Sequence, residues 1–176
     1  MKHLLLLVTI TFVLSCCSKD DNDPKEPLSP AAQTGAGTFA CKVNGQNFID
    51  TSGGYFNCYY QLIDGAYYFG IQGLDSVIDL TSITFGTEKK EINEGNTYIL
   101  FEILDGNVWG GVGFSSENNP YKFVSTNSQY TGELTITKFD FTNKIVSGTF
   151  WFDIKHPTTG ETVEIREGRF DTLFTQ

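Results

Sequence analysis

The chain is short of the residues that enzymes most often put to work. Its 176 residues include one methionine, two tryptophans and two histidines. One histidine is His3, so His156 serves everything downstream. It stands before Pro157 in a turn-rich stretch, with neither an HExxH partner nor a nucleophile elbow, and reads as a solvated loop histidine rather than a catalytic base. Basic charge is also scarce, since twelve Lys and Arg face twenty-one Asp and Glu for a formal net charge of −9. Such a surface repels a phosphate backbone, so nucleic acid is not an expected partner. Helical periodicity is missing: no amphipathic stretch lasts three turns, and no apolar run approaches the ~20 residues of a spanning helix. Asp20, Asp21 and Asp23 imitate a calcium loop in spacing but lack its glycine and closing glutamate. Gly110-Gly111-Val112-Gly113 has the glycines of a phosphate loop. The next residues, Phe114 to Pro120, make a turn and not the helix whose N-terminus would hold the anion. Nothing here asks for a metal or a cofactor, and catalysis is not expected.

The N-terminus carries an address. Lys2 and His3 precede an apolar run from Leu4 to Leu14, which is the pattern of an export signal. The run ends in Leu14-Ser15-Cys16-Cys17, which resembles the lipobox of bacterial lipoproteins. In that family the cysteine is lipidated on sulfur and becomes the new N-terminus. Ser15 makes Cys16 the preferred site, and Cys17 is the alternative; an ordinary cleaved secretory signal is the other reading of the segment. The implied plan is a signal peptide over 1–15, a lipidated acidic and proline-rich tether over 16–37, and one β domain over 38–176. The tether has little to bury and is expected to stay extended or disordered, leaving the lipid as the sole membrane contact. Its acidic cluster resembles the signal by which some Gram-negative lineages move lipoproteins to the cell surface; a solvated spacer is the competing reading. The expected location is the outer membrane, on either leaflet.

The body reads as all-β, an antiparallel meander of nine or ten strands forming a flattened barrel or a two-layer sandwich. Its densest part runs from Thr131 to Phe174, where Leu134, Ile136, Phe150, Phe152, Ile154, Val163 and Ile165 alternate with polar residues. Burial parity then changes to Phe170 and Phe174, which predicts a β-bulge at Gly168. Asn44-Gly45, Asp64-Gly65 and Asp105-Gly106 each suit a two-residue type I′ turn. The second sets Cys58, Tyr60 and Leu62 on one face with Ile71, Phe69 and Tyr67, and Tyr59 opposite Gly70. The third sets Ile99, Phe101 and Ile103 on the core face and Tyr98 opposite Gly113. A ring laid over a strand glycine restores cross-strand contact. Cys41 and Cys58 both point inward, and they can form a disulfide only if the sheet folds over to bring them within about 7 Å.

The second face of these hairpins mixes rings with polar groups. Tyr59, Tyr68, Tyr98, Glu102, Trp109 and Trp151 are the candidate ligand residues, with Tyr55, Asn57, Gln61 and Gln72 beside them. Rings stacking on sugar C–H faces, with amides and carboxylates reading hydroxyls, suit a glycan. The same rings suit a protein partner in a surface complex, and a hydrolase built on Glu102 and Asp153 is the weakest reading.

Two stretches carry a family resemblance. Pro30 to Gly45, closing on Phe39-Ala40-Cys41-Lys42-Val43-Asn44-Gly45, resembles the opening of a family of uncharacterised bacterial lipoproteins. Gly132-Glu133-Leu134-Thr135-Ile136-Thr137, Ser147-Gly148-Thr149-Phe150 and Gly160 to Ile165, closing on Gly168-Arg169-Phe170, resemble its end. The resemblance implies an exported, lipid-anchored β domain and carries over no activity, cofactor or site.

The anchor reading is testable. Replacing Cys16→Ser and Cys17→Ser together should release a folded, soluble domain, whereas Cys16→Ser alone is partly rescued by cleavage before Cys17. Membrane fractionation with mass spectrometry of the mature N-terminus checks both. An unmodified N-terminus in the soluble fraction of the unaltered protein would refute the reading.

Overall fold

A computed structural model describes residue 28 and residues 30–53 and 57–176. The signal segment, Cys16, Cys17, most of the tether and Tyr55 lie outside the described residues. Within them the fold is all-β with no helix, as the alternation predicts. The eleven strands are β1 (Thr38–Val43), β2 (Gln46–Ile49), β3 (Asn57–Ile63), β4 (Ala66–Val77), β5 (Leu80–Thr87) and β6 (Thr97–Leu100), followed by β7 (Val108–Ser116), β8 (Asn119–Ser125), β9 (Gly132–Asp140), β10 (Ile145–Lys155) and β11 (Thr162–Leu173). They form one sheet in the order β2-β1-β11-β10-β9-β6-β7-β5-β4-β3, with β8 branching off β7. The sheet is not a pure antiparallel meander. β6 meets β7 in parallel at Leu100 and Val108, and β1 pairs with the distant β11.

Two turn signals act as expected. Asn44-Gly45 and Asp64-Gly65 both hold positive φ, and every cross-strand pair from Asn57↔Gln72 to Ile63↔Ala66 is set by the second turn. The third hairpin is corrected. Only Gly106 of its pair is left-handed, and residues 101–107 form a loop. Thr97–Leu100 pairs instead with β9, which reverses the expected faces: Leu100 is buried while Ile99 is 59% exposed and Ile103 and Leu104 face solvent. The bulge exists, but it sits at Arg166-Glu167, where three residues of β11 oppose two of β10 and two of β1. Glu167 takes the positive φ, and Gly168 is instead needed beneath Phe150, whose ring lies where a Cβ would stand.

The sheet curls until its inward rings meet. Phe85 of β5 touches Phe150 and Phe152 of β10 at centroid distances of 4.5 and 5.5 Å, and Phe39 of β1 lies 5.2 Å from Phe150. A second cluster gathers Tyr60, Tyr67, Phe139 and Phe174. The β2 and β4 ends of the sheet are tied by polar clamps and not joined by a ladder. The Asp75 carboxylate accepts from the Ile49 amide at 2.8 Å, Asp50 accepts from the Leu74 amide at 2.7 Å, and the Thr51 amide donates to the Leu74 carbonyl. Thr175, beyond β11, bridges to Tyr59 and exchanges hydrogen bonds with the free edge of β3. The result is a flattened, open half-barrel. Cys41 and Cys58 are both buried and unbridged, and burial pushes both thiols far above the ordinary range.

The domain begins before Thr38. The last residues of the expected tether lie against the sheet, with Leu28 buried. Asp171, 1% exposed, accepts the backbone N–H groups of Thr34, Gly35 and Ala36 at 2.8–3.1 Å, together with the Thr34 and Ser147 hydroxyls. Burial acts to raise the Asp171 pKa, but these donors together hold it below the ordinary 3.8. A lowered folded value means the interaction stabilises fully above the unfolded value and is lost as pH falls through the folded one. We therefore expect Asp171→Ala to cost about 2–3 kcal/mol at neutral pH, as the loss of a buried charged acceptor does. Its deficit relative to the unaltered protein should shrink below pH 3.8. Urea unfolding of both proteins across this range checks the sign.

Candidate functional site

The outer face of β3, β4, β5, β7 and β8 is built on glycine. One cross-strand row reads Tyr59, Gly70, Gly86, Trp109. The next reads Asn57, Gln72, Thr84, Gly111, Ser125, and the next Leu74, Ser82, Gly113, Phe123. Each glycine of these rows lies under a ring. Tyr59 covers Gly70, Trp109 covers Gly86, Phe123 covers Gly111 and Tyr121 covers Gly113. A Cβ at Gly86 would stand 2.3 Å from the indole, so glycine is what lets the ring settle on the backbone. Phe123 and Ser82 stand opposite Gly113, where Tyr98 was expected, and the ring that covers this glycine is that of Tyr121.

The rings do not form a flat platform. Trp109 and Phe123 meet at 5.9 Å with planes 89° apart, which makes a right-angled corner. Glu88, directly after β5, accepts the Trp109 indole N–H at 3.1 Å and fixes that ring. Burial first, and the Glu88 charge second, raise the Tyr59 pKa. Gln72 donates to the Thr84 hydroxyl at 3.1 Å in the adjoining row. Tyr59 and Trp109 are half-buried, Phe123 is 40% exposed and Tyr121 57% exposed.

The six ligand candidates do not converge on one site. Tyr59, Tyr68 and Trp109 share this outer face, Tyr68 lying in the row of Gln61. Tyr98 faces inward against the core, and its hydroxyl accepts the Asn93 amide at 2.8 Å. Glu102 lies in the 101–107 loop, where its carbonyl accepts from the Leu104 amide and the Asn107 side chain. Trp151 belongs to a different wall: β10 is separated from β7 by β9 and β6. Its indole donates to Glu133 at 3.2 Å, and the Arg166 guanidinium covers its ring at 5.6 Å. Arg166 also binds Asp153 at 2.7 Å, so Asp153 stands in an ion pair. Sequence reasoning missed Glu88, Tyr121 and Phe123. Glu88 was legible in principle, because the outward parity of Thr84 and Gly86 runs on to it.

His156 is not solvated. It is buried; Nδ1 accepts the amides of Thr158 and Thr159 at 3.2 and 3.0 Å, and Nε2 lies 2.9 Å from Asp79. Two donors at Nδ1 require the proton on Nε2, so the ring donates to Asp79 and both nitrogens are engaged. It locks the β10–β11 loop to the β4–β5 turn and has no free nitrogen for a metal or a substrate. Among the described residues no group of three or more His, Cys, Asp or Glu side chains could hold a metal ion.

Fold and site together define an all-β half-barrel with a glycine-floored aromatic outer face. The chain belongs to the family described as Domain of unknown function (DUF6252), whose model matches residues 69–173. That span runs from β4 through β11 and holds Glu88, Trp109 and Phe123, while Tyr59 lies outside it. No curated protein and no solved structure matches the chain.

The glycine floor gives a direct test. Gly86→Ala must lift Trp109 from the sheet, so tryptophan emission should change and stability fall by about 1–3 kcal/mol, the usual cost of overpacking. Trp151→Phe as a background isolates the signal of Trp109. Unchanged emission and stability would refute the packing described.

Proposed function

We propose that this protein is an exported, lipid-anchored binding module that holds a saccharide against the Trp109–Phe123 corner. The observation that carries this reading is two half-exposed rings at 89° and 5.9 Å, seated on bare backbone and bordered by amides, hydroxyls and one carboxylate. An aromatic face offers a sugar's C–H groups apolar contact, and the polar border supplies the few oriented hydrogen bonds that fix a ligand. Binding rather than turnover is favoured by the engagement of three acidic groups elsewhere: Asp79 with His156, Asp153 with Arg166, and Asp171 with the N-terminal segment. Lipidation at Cys16, or at Cys17, would place the module on the outer membrane of a bacterium, with the lipid its only membrane contact.

A second reading is an accessory subunit of a surface complex. Its support is the exposure of Tyr121 and Phe123 on a strand that, among the described residues, pairs with β7 alone. A glycan array run beside a pull-down from detergent-solubilised envelope separates the two. We expect array binding that Trp109→Ala or Phe123→Ala weakens by about tenfold or more, as loss of an aromatic anchor does. A stoichiometric protein partner and no array signal would favour the subunit. Release of reducing ends from a bound glycan would instead point to a hydrolase.

A further inference from the structure

The outward positions of the three glycine rows contain no lysine or arginine. The charged group bound into the corner is Glu88, one of whose oxygens takes the Trp109 indole N–H. The other receives no donor from the described residues. An ionised carboxylate only accepts hydrogen bonds, so the group that satisfies it must donate, as a sugar hydroxyl does. A second anion beside it would meet like charge at short range, with no cation among the rows to offset it. Three lysines come near in sequence. Lys89 is held by Asp105 at 2.6 Å, Lys90 donates to the Gly106 carbonyl at 3.0 Å, and Lys122 pairs with Phe114, on the sheet face opposite to Phe123. The net charge of −9 adds to the same bias at longer range.

We infer that the corner takes neutral saccharides and turns away acidic ones, with Glu88 as the residue that sets the preference. This rests on the saccharide reading above and narrows it to a substrate class. Glu88 does two things at once. It holds the indole in place, and it presents an acceptor to a hydroxyl at the edge of that ring. Glu88→Gln keeps an oxygen for the indole N–H while removing the charge, so it separates positioning from charge selection.

The test is calorimetric titration of the full chain in detergent at low salt. Neutral probes are cello-, xylo-, manno- and chitohexaose, and acidic probes are hexamers of galacturonate and mannuronate. We expect at least one neutral hexamer to bind, and the acidic hexamers to bind about tenfold more weakly or not at all, a gap of about 1.4 kcal/mol. In Glu88→Gln neutral binding should weaken with the loss of the charged acceptor, yet the gap should close to about threefold or less, because the charge that repels the uronate is gone. An acidic hexamer bound as tightly as the neutral ones overturns this inference and leaves the saccharide reading standing. A gap unchanged in Glu88→Gln overturns the role of Glu88. Failure of every hexamer to bind overturns the saccharide reading itself.

Discussion

The contact on which the rest of this molecule depends is the meeting of Phe85 with Phe150 across the interior. β5 and β10 are far apart along the sheet, separated by β7, β6 and β9, and only strong curling brings them together. A buried phenylalanine contributes about 1.5–3 kcal/mol by leaving water, and tilted ring pairs add about 0.5–1.5 kcal/mol. Phe39 and Phe170 extend the same stack to β1 and β11. An inward side so rich in large rings forces small residues elsewhere. Gly73 lies under Phe39, Gly148 under Phe170 and Gly168 under Phe150, each at a distance that excludes a Cβ.

The outer face repeats that logic with the opposite result. Inside, rings over glycine are sealed by other rings. Outside, Tyr59, Trp109, Phe123 and Tyr121 cover glycines but stay half-buried or exposed among the described residues. Four strands in register are needed to make the row from Tyr59 to Trp109, so the candidate site is a product of pairing and not of any one hairpin. The His156–Asp79 lock and the Asp171 clamp on residues 34–36 serve different ends. They tie loops and the N-terminal segment to the barrel, and they take polar groups out of play for chemistry.

The part of the fold legible in the sequence was the part a short turn can specify. Asp64-Gly65 gave every pair of its hairpin because both turn residues take left-handed φ and the side-chain period is 2. The parity change after Ile165 revealed a bulge within two residues of its true place. Asp105-Gly106 misled because the decisive partner of Thr97–Leu100 is β9, some 35 residues away, as the pair Leu100↔Gly132 shows. No local turn signal encodes such a pairing. With that strand's faces reversed, Tyr98 left the candidate site, and Trp151 left it because strand order is a long-range property. His156 was misread for a related reason: its partner Asp79 lies 77 residues upstream. The Asp171 clamp was invisible because backbone amides carry no sequence signature.

The branching of the sheet at β7 has a dynamic consequence. One edge of β7 is shared between β6 at one end and β8 at the other, so among the described residues β8 has a single hydrogen-bonded neighbour. A strand held by one ladder opens at a lower free energy than a strand held by two, and it contributes little to global cooperativity. Phe123 rides on β8, whereas Trp109 rides on β7. One wall of the corner thus stands on a hinged flap and the other on the rigid frame. Amide exchange would see the flap breathe without the barrel unfolding, and a guest that closes the corner would slow that exchange in β8 ahead of every other strand.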